Sequence, residues 1–162
     1  MRDGDRCDAC PDGALDPPTE ERVPVALTRC GVVAWARVPG RRCTRCGHVL
    51  VAPGVLARAH LSVACALADH GIQTGDVFRQ MRKALGLRAA DVATLLGVTP
   101  ETISHWETGR ATPARGAFAA LAAMVHEAIE GRTSTRDRLA ALAGAQPRPQ
   151  AIEVRVPDRW QA

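Results

Sequence analysis

The stretch LRAADVATLLGVTPETISHWETGR, Leu87–Arg110, carries start and stop signals for two short helices in a row. Gly97 ends the first helix, because glycine takes the left-handed conformation of a helix C-terminus without strain. Thr99 can cap the second helix with its hydroxyl, and Pro100 has a backbone angle already set for a first helical turn. Gly109 ends the second helix in the same way. Two helices separated by a three-residue break predict a helix-turn-helix unit.

The flanking segments extend this unit to four helices. Thr74 can cap a helix that stops at Gly86, and Thr112-Pro113 repeats the Thr-Pro start for a long alanine-rich helix. The predicted helices are Gly75 to Leu85, Arg88 to Leu96, Pro100 to Thr108, and a fourth from Thr112-Pro113 to about Glu130. This half of the chain is therefore predicted to be all-α.

The segment from Thr74 to Glu130 resembles the Xre/Cro family of phage-repressor DNA-binding domains. The residues in register with that family are Gly97, Val98, Ile103, Ser104, Glu107 and Gly109. The resemblance implies that the third helix enters the major groove of DNA. The geometry of that helix then places Ile103 and Trp106 toward the protein core. There is one departure, because Ala89 occupies a place where family members often carry glutamine for a phosphate or side-chain contact.

Several polar residues around the third helix are candidates for contact with DNA. Pro100, Glu101 and His105 point outward near its N-terminal half; Glu101 can accept a hydrogen bond from cytosine N4, and His105 can donate to guanine or phosphate. Contacts to phosphate oxygens suit Arg88, Thr99, Ser104 and Arg110. Glu101 has an equally good alternative as a first-turn acid favoured by the helix dipole. The family resemblance also implies a structural ion pair between Arg82 and Glu107.

Two cysteine pairs of identical spacing, Cys7-x-x-Cys10 and Cys43-x-x-Cys46, precede the helical half. Two such turns supply four thiolates for a tetrahedral zinc ion, with Zn–S bonds of about 2.3 Å. The 32 residues between the pairs exceed the common spacing of about 15 to 20. Doubling a loop costs only about 0.6 kcal/mol, against roughly 10 kcal/mol or more from zinc binding. We therefore predict a structural zinc site.

Other uses of the cysteines are less well supported. Disulfides need an oxidising compartment, and the charged start of the chain offers no apolar export signal. A c-type haem site needs histidine directly after the second cysteine, where Gly47 stands before His48. A four-thiolate shell leaves no position for a reactive water, so we expect no enzyme. His48 is interpreted as polar surface or as a replacement or supporting ligand; Cys30 and Cys65 have no motif partner, and Cys65 is interpreted as a small buried hydrophobe.

The region around the cysteines is predicted to be a small β-rich domain. Arg22 to Thr28 and Val32 to Val38 are short β-branched segments, and Pro39-Gly40 is predicted to turn into the second cysteine pair. Pro53-Gly54 ends the domain, and Val55 to Asp69 has apolar residues at helical spacing. The expected fold class is α+β: a β-rich zinc-binding domain joined by a helix to the all-α domain.

Charge is distributed unevenly along the 162 residues. Residues 1–21 carry a net charge of −5, residues 22–70 a net +6, residues 71–131 six basic and six acidic groups, and residues 132–162 a net +3. The acidic and basic segments can form a docking surface or can simply be solvated faces. No apolar run reaches the roughly 18 residues of a membrane span, so we expect a cytoplasmic protein.

Taken together, a paired-cysteine zinc domain ahead of an Xre-type helix-turn-helix resembles the MqsA (YgiT-type) antitoxins of bacterial toxin–antitoxin systems. The match extends to about Glu130. The resemblance implies that the zinc domain binds a small ribonuclease toxin, while the helical half dimerises on a palindromic operator and represses its own operon. The alternatives are a zinc-containing Xre-family regulator without a toxin partner, and an enzyme or redox protein.

These interpretations divide the chain into four segments. Residues 1–53 form the zinc-binding, toxin-docking domain, 54–73 the connecting helix and linker, 74–131 the helix-turn-helix domain and 132–162 a C-terminal extension. In the extension, Thr135 to Ala143 can form a helix. Ile152, Val154 and Val156 alternate with charged residues as an edge strand does, and a disordered tail is an equal alternative.

Overall fold

The computed structural model describes residues 6–10, 12–27 and 33–144. A small antiparallel sheet comes first and helices follow, so the predicted α+β class is confirmed. The strands are β1 (Thr19–Leu27), β2 (Val33–Arg42) and β3 (Val49–Leu50). The helices are α1 (Pro53–Asp69), α2 (Gly75–Ala84), α3 (Ala89–Leu96), α4 (Pro100–Thr108), α5 (Arg115–Ile129) and α6 (Ser134–Ala143).

The sheet has the order β1-β2-β3, and its two long strands form a hairpin. The predicted turn at Pro39-Gly40 is wrong, because these residues lie inside β2 opposite Glu20 and Thr19. The short β3 pairs only with Arg41 and Arg42. Pro39 therefore lies where β2 has a single strand neighbour, and such an edge position tolerates a residue without a backbone N–H.

Opposite charges on the acidic and basic segments pair with each other inside the N-terminal region. Arg37 contacts Glu20 at 3.2 Å, Arg45 contacts Asp12 at 2.6 Å, and Arg42 forms an ion pair with the buried Glu21. The Arg42 guanidinium lowers the pKa of the Glu21 carboxyl. Many of the acidic and basic side chains behind the uneven charge distribution therefore form ion pairs between β1, β2 and the two cysteine loops.

Helix α1 begins at Pro53, which takes the first helical position instead of ending the domain before it. The apolar face of α1 is buried against α2, α5 and the sheet. Its buried residues are Ala59, Val63, Ala64, Cys65 and Leu67. The predicted connecting helix therefore contributes directly to the helical core.

The helices of the helix-turn-helix begin and end at the predicted signals. The Thr74 hydroxyl accepts from Val77 N at 3.4 Å and the Thr99 hydroxyl accepts from Thr102 N at 3.1 Å. Gly97 and Gly109 have positive φ angles of 66° and 77°, which glycine adopts without steric cost. These local signals set the lengths of α3 and α4.

The core of the helical part is apolar and continuous. Its fully buried side chains include Val77, Phe78, Met81, Val92, Ile103, Leu121 and Val125. Trp106 is buried as well and meets Phe78 edge to face, with ring centroids 5.4 Å apart. The predicted placement of Ile103 and Trp106 in the core is confirmed.

The last two helices differ in how well their starts were predicted. Thr112-Pro113 does not start α5; Ala114 precedes the first turn, and the Pro113 carbonyl instead accepts from Gln73 Nε2 at 2.9 Å. Helix α6 forms as predicted and packs against α3 and α5. The predicted strand at Ile152, Val154 and Val156 lies outside the described residues. Within the described ranges, no helix is both long and apolar enough to cross a membrane.

Candidate metal centre and nucleic-acid interface

The four predicted zinc ligands converge at one end of the sheet. Cys7 Sγ lies 3.7 Å from Cys46 Sγ, and Cys10 Sγ lies 3.7 Å from Cys43 Sγ. All four sulfurs lie within 4.8 Å of one another. A tetrahedral ion with bonds of about 2.3 Å separates its sulfurs by about 3.8 Å. The cluster therefore has the size and donor set of a tetrahedral four-thiolate metal site.

Backbone hydrogen bonds shape the two loops that carry the cysteines. Cys7 N donates to Gly13 O at 2.9 Å, and Gly47 N donates to Cys43 O at 3.0 Å. Backbone N–H groups also point at sulfur: Ala9 N lies 3.3 Å from Cys7 Sγ. The N–H groups of Cys46 and Arg45 lower the pKa of the Cys43 thiol to about 6. Such donors stabilise thiolates, the form in which cysteine binds a metal.

Cys7 and Cys10 need a cation to ionise together with Cys43. Burial and the neighbouring thiols raise the pKa of Cys10 to about 12, and burial also raises the pKa of Cys7. A coordinated metal ion outweighs these effects because it deprotonates its thiol ligands outright. A bound cation would therefore allow the sulfurs to ionise together at this separation.

Gly13 is a residue of this site that the spacing of the cysteines did not identify. A Cβ atom added to it would lie 2.3 Å from Cys43 Sγ and 2.6 Å from Cys10 Sγ. The chain therefore passes the sulfurs so closely that only a hydrogen fits at this position. His48 lies outside the sulfur cluster and contacts Asp8 at 3.3 Å, as expected for a polar surface residue.

The second candidate surface lies on α4. Pro100, Glu101 and Ser104 are exposed, and His105 is half-buried. His105 Nε2 lies 3.7 Å from Glu101 Oε1, so the two predicted base-reading side chains are neighbours on one face. The opposite face holds Ile103 and Trp106 in the core. The outer face of α4 thus carries polar side chains on a firmly packed helix.

The residues predicted to bind phosphate surround this face. They differ in whether their side chains already have hydrogen-bond partners within the protein. Thr99 uses its hydroxyl to cap α4, and the exposed Arg110 follows the end of that helix. The Arg88 guanidinium makes two hydrogen bonds to Asp91, at 3.0 and 2.8 Å. The Arg88 guanidinium lowers the pKa of Asp91 to about 2. To contact a phosphate, Arg88 must therefore either bind it alongside Asp91 or release Asp91.

Arg82 and Glu107 are brought together as a two-pronged ion pair. Arg82 Nε and Nη2 donate to the two carboxylate oxygens of Glu107 at 2.5 and 2.9 Å, and Arg82 Nη1 donates to Leu87 O at 2.7 Å. The two side chains are only 12% and 11% exposed. The pair links α2 to the end of α4 and thereby fixes the orientation of α4.

A third cluster was not predicted. Cys65 Sγ lies 3.0 Å from His126 Nδ1, and His126 Nε2 lies 2.8 Å from Asp69 Oδ1. The interpretation of Cys65 as a mere buried hydrophobe is therefore incomplete, since its sulfur meets a polar partner from α5. No short sequence motif joins these residues, so only the packing of α1 on α5 brings them together.

Comparison with known protein families identifies one region. Residues 73–127 match the family model described as a helix-turn-helix domain. A search of curated proteins and a search of solved structures each found no match. The chain thus contains a helix-turn-helix domain of the kind found in DNA-binding regulators, which are typically not enzymes.

Proposed function

We propose that this protein is a transcription regulator that binds operator DNA as a homodimer, with α4 in the major groove. The observation that carries the proposal is the polar outer face of α4 within a matched helix-turn-helix domain. An exposed helix face that presents polar groups can reach base edges in a groove about 12 Å wide. Burial of Ile103 and Trp106 holds that face in one orientation.

In this proposal, Glu101 and His105 distinguish bases while their neighbours bind the backbone. Glu101 accepts from cytosine N4, and His105 donates to guanine or to phosphate. Thr99, Ser104, Arg88 and Arg110 contact phosphate oxygens. The 3.7 Å approach of His105 to Glu101 lets one side chain orient the other before DNA arrives.

The charge of the helical part explains why a dimer is proposed. Residues 71–131 contain six basic and six acidic groups, and the guanidinium groups of Arg82 and Arg88 are already bonded to carboxylates. Non-specific attraction to phosphate is therefore modest for a single chain. Two copies on a palindromic site double the contacts without any change in the protein surface.

Binding to a selected operator tests the base-reading residues. We expect Glu101→Ala and His105→Ala each to change preference at one base position by about 1 to 3 kcal/mol. The matched control is Glu20→Ala, which removes an exposed acid from the sheet and should leave operator preference unchanged. If both α4 variants kept the operator affinity and base preference of the wild type, Glu101 and His105 would not be base-reading residues.

We further propose that the cysteine cluster holds zinc and that the N-terminal region docks a small ribonuclease toxin, as the resemblance to the MqsA-type antitoxins implies. Metal analysis of the purified protein tests the ion: one zinc per cluster is expected, and iron, which also accepts four thiolates, would contradict it. A zinc ion here is structural, since four protein thiolates leave no open position.

An apolar patch supports the docking role. Val33 and Trp35 lie two residues apart on β2 and are 44% and 46% exposed, and Trp35 lines a surface groove together with Val55 and Ala59 of α1. Arg22 stacks over the Trp35 ring at 4.3 Å and keeps it in place. Because several neighbouring charges already pair within the sheet, an exposed aromatic flanked by aliphatic side chains is the feature best suited to a protein partner.

Co-expression with the neighbouring open reading frame, followed by affinity purification, tests the antitoxin role. We expect a stable complex, and we expect Trp35→Ala to weaken it by about 2 kcal/mol, which is about 30-fold. Leu142→Ala is the control, because Leu142 is 82% exposed on the distant helix α6. Specific operator binding without any complex would instead favour the zinc-containing regulator that has no toxin partner.

A further inference from the structure

The cluster of Cys65, Asp69 and His126 combines three kinds of metal ligand at the meeting point of two helices. Cys65 and Asp69 are four residues apart on α1, so both side chains lie on one face of that helix. His126 reaches this face from α5. The ligand atoms of the three residues all lie within 4.8 Å of one another.

The distances suit a single small cation. His126 Nε2 lies 2.8 Å from Asp69 Oδ1 and 3.4 Å from Cys65 Sγ. With bonds of about 2.0 to 2.3 Å, a tetrahedral ion separates such ligand atoms by about 3.3 to 3.6 Å. Shifts of a few tenths of an ångström in the exposed side chains of Asp69 and His126 would therefore admit the ion, with Nε2 as the histidine ligand.

The surrounding charge also favours a divalent cation. Asp69 is a carboxylate next to the thiol, and Glu130 lies close enough for its charge to act on Cys65 as well. Glu130 also forms an ion pair with Arg132, which offsets part of its negative charge. Two carboxylates near the sulfur attract a dication, which offsets the repulsion among the negative groups when it binds.

A reactive cysteine is the main competing interpretation of a Cys–His–Asp arrangement. Cys65 is buried, with 8% of its surface exposed, and burial raises the pKa of its thiol. Reactive cysteines need the opposite conditions: an accessible sulfur in a positively charged environment. The local chemistry therefore favours metal coordination over nucleophilic catalysis.

We propose that Cys65, Asp69 and His126 form a second metal site, which binds a d-block dication such as zinc through one thiolate, one carboxylate and one imidazole. The fourth position is open to water. The ion replaces the proton of Cys65, which passes to solvent, so binding involves no redox change. This site is independent of the four-cysteine cluster and of the functions proposed above.

Occupancy of this site would fasten the end of α1 to the end of α5. Helix α1 packs on both the sheet and the helical core, and α5 follows the helix-turn-helix. A bound ion would therefore strengthen the contact through which the N-terminal region is joined to the DNA-binding domain.

Titration of the reduced, metal-free full chain with Co²⁺ tests the proposal, because cobalt bound to thiolate absorbs visible light. We expect the wild type to bind two equivalents: one with the intense spectrum of a four-thiolate site, and one with a weaker single-thiolate band. Cys65→Ser should lose only the second equivalent, and Cys46→Ser should disrupt only the first. A single equivalent in the wild type would overturn the proposal.

Further variants separate coordination from general damage to the fold. Asp69→Asn keeps the shape of an exposed side chain, and it should weaken the second equivalent by about 10-fold or more. His60→Ala is the control, since His60 also lies on α1 but bonds to Gln80; both equivalents should remain. Far-UV circular dichroism confirms that each variant is helical. A second equivalent retained in both Cys65→Ser and Asp69→Asn would refute the site.

Discussion

The cysteine end of the sheet and the helical part of the molecule are held together in different ways. Around the sulfurs, Leu15 is the only buried aliphatic side chain among the described residues of the cluster, with Leu50 partly buried beside it. Within the part of the chain that the structure describes, the helical cluster contains sixteen buried residues, nearly all of them aliphatic or aromatic. A core as small as the first cannot offset the entropy of ordering its loops, so an added cross-link is needed.

The border between these regions lies inside the sheet. Val25, Ala34 and Ala36 pack against the helical core, whereas Leu15 and Leu50 pack against the sulfurs. One end of the hairpin is therefore stabilised by helices and the other by the cysteine cluster. A metal bound by the cysteines would therefore support the loops and the adjacent strand ends, whereas the far end of the hairpin packs on the helical core.

Metal removal should produce the largest effect and act on one region only. Binding of a structural zinc supplies roughly 10 kcal/mol or more, so a strong chelator should unfold the cysteine end. Amide NMR signals of residues 6–16 and 42–50 should lose their dispersion, while those of α2 to α5 keep theirs. Retention of dispersion at the cysteine end in reduced, metal-free protein would contradict a structural metal.

Arg82→Met should destabilise the helical part of the molecule, by less than metal removal destabilises the cysteine end. It leaves Glu107 buried without its main partner, which we expect to cost about 2 to 4 kcal/mol of unfolding free energy. Urea denaturation measured by circular dichroism gives this value. The affinity of the cysteine cluster for metal should not change, and a parallel loss of metal affinity would show that the two regions unfold together.

Arg37→Met is the matched control for that variant. Arg37 lies 3.2 Å from its partner Glu20, and both side chains are largely exposed. Ion pairs on the surface contribute little because water screens both charges. The unfolding free energy of the helical part should therefore stay at the wild-type value.

Gly13→Ala should have the smallest effect and report on the cysteine end alone. The new methyl group would overlap Cys43 Sγ and force either the loop or the sulfur to move. We expect metal affinity to fall by about 10-fold or more, which is about 1.4 kcal/mol, in a competition titration with a chelator. Gly54→Ala is the control, because an added Cβ there meets no atom within 4 Å beyond its chain neighbours and the backbone of its own helix. Equal affinities of the two variants would show that Gly13 is not constrained by the cluster.

The sequence predicted best those features whose signals are local. Thr99 marks the start of α4 and Gly109 marks its end, through contacts with residues three or four positions away. The predicted limits of α4 were therefore correct. The Pro39-Gly40 turn failed because proline and glycine also fit a strand position with a free edge, and the pairing partners Thr19 and Glu20 are distant in sequence. Thr112-Pro113 failed for a similar reason, since Pro113 is used for a contact with Gln73.

The amino-acid sequence by itself determined the α+β class, the helix-turn-helix and the candidate four-cysteine site, because capping signals and Cys-x-x-Cys turns act over a few residues. Only the tertiary structure decided that Gly13 lies against the sulfurs and that Cys65 meets His126, 61 residues further along the chain. Such contacts depend on which helix and strand faces pack together, and packing is a property of the whole core.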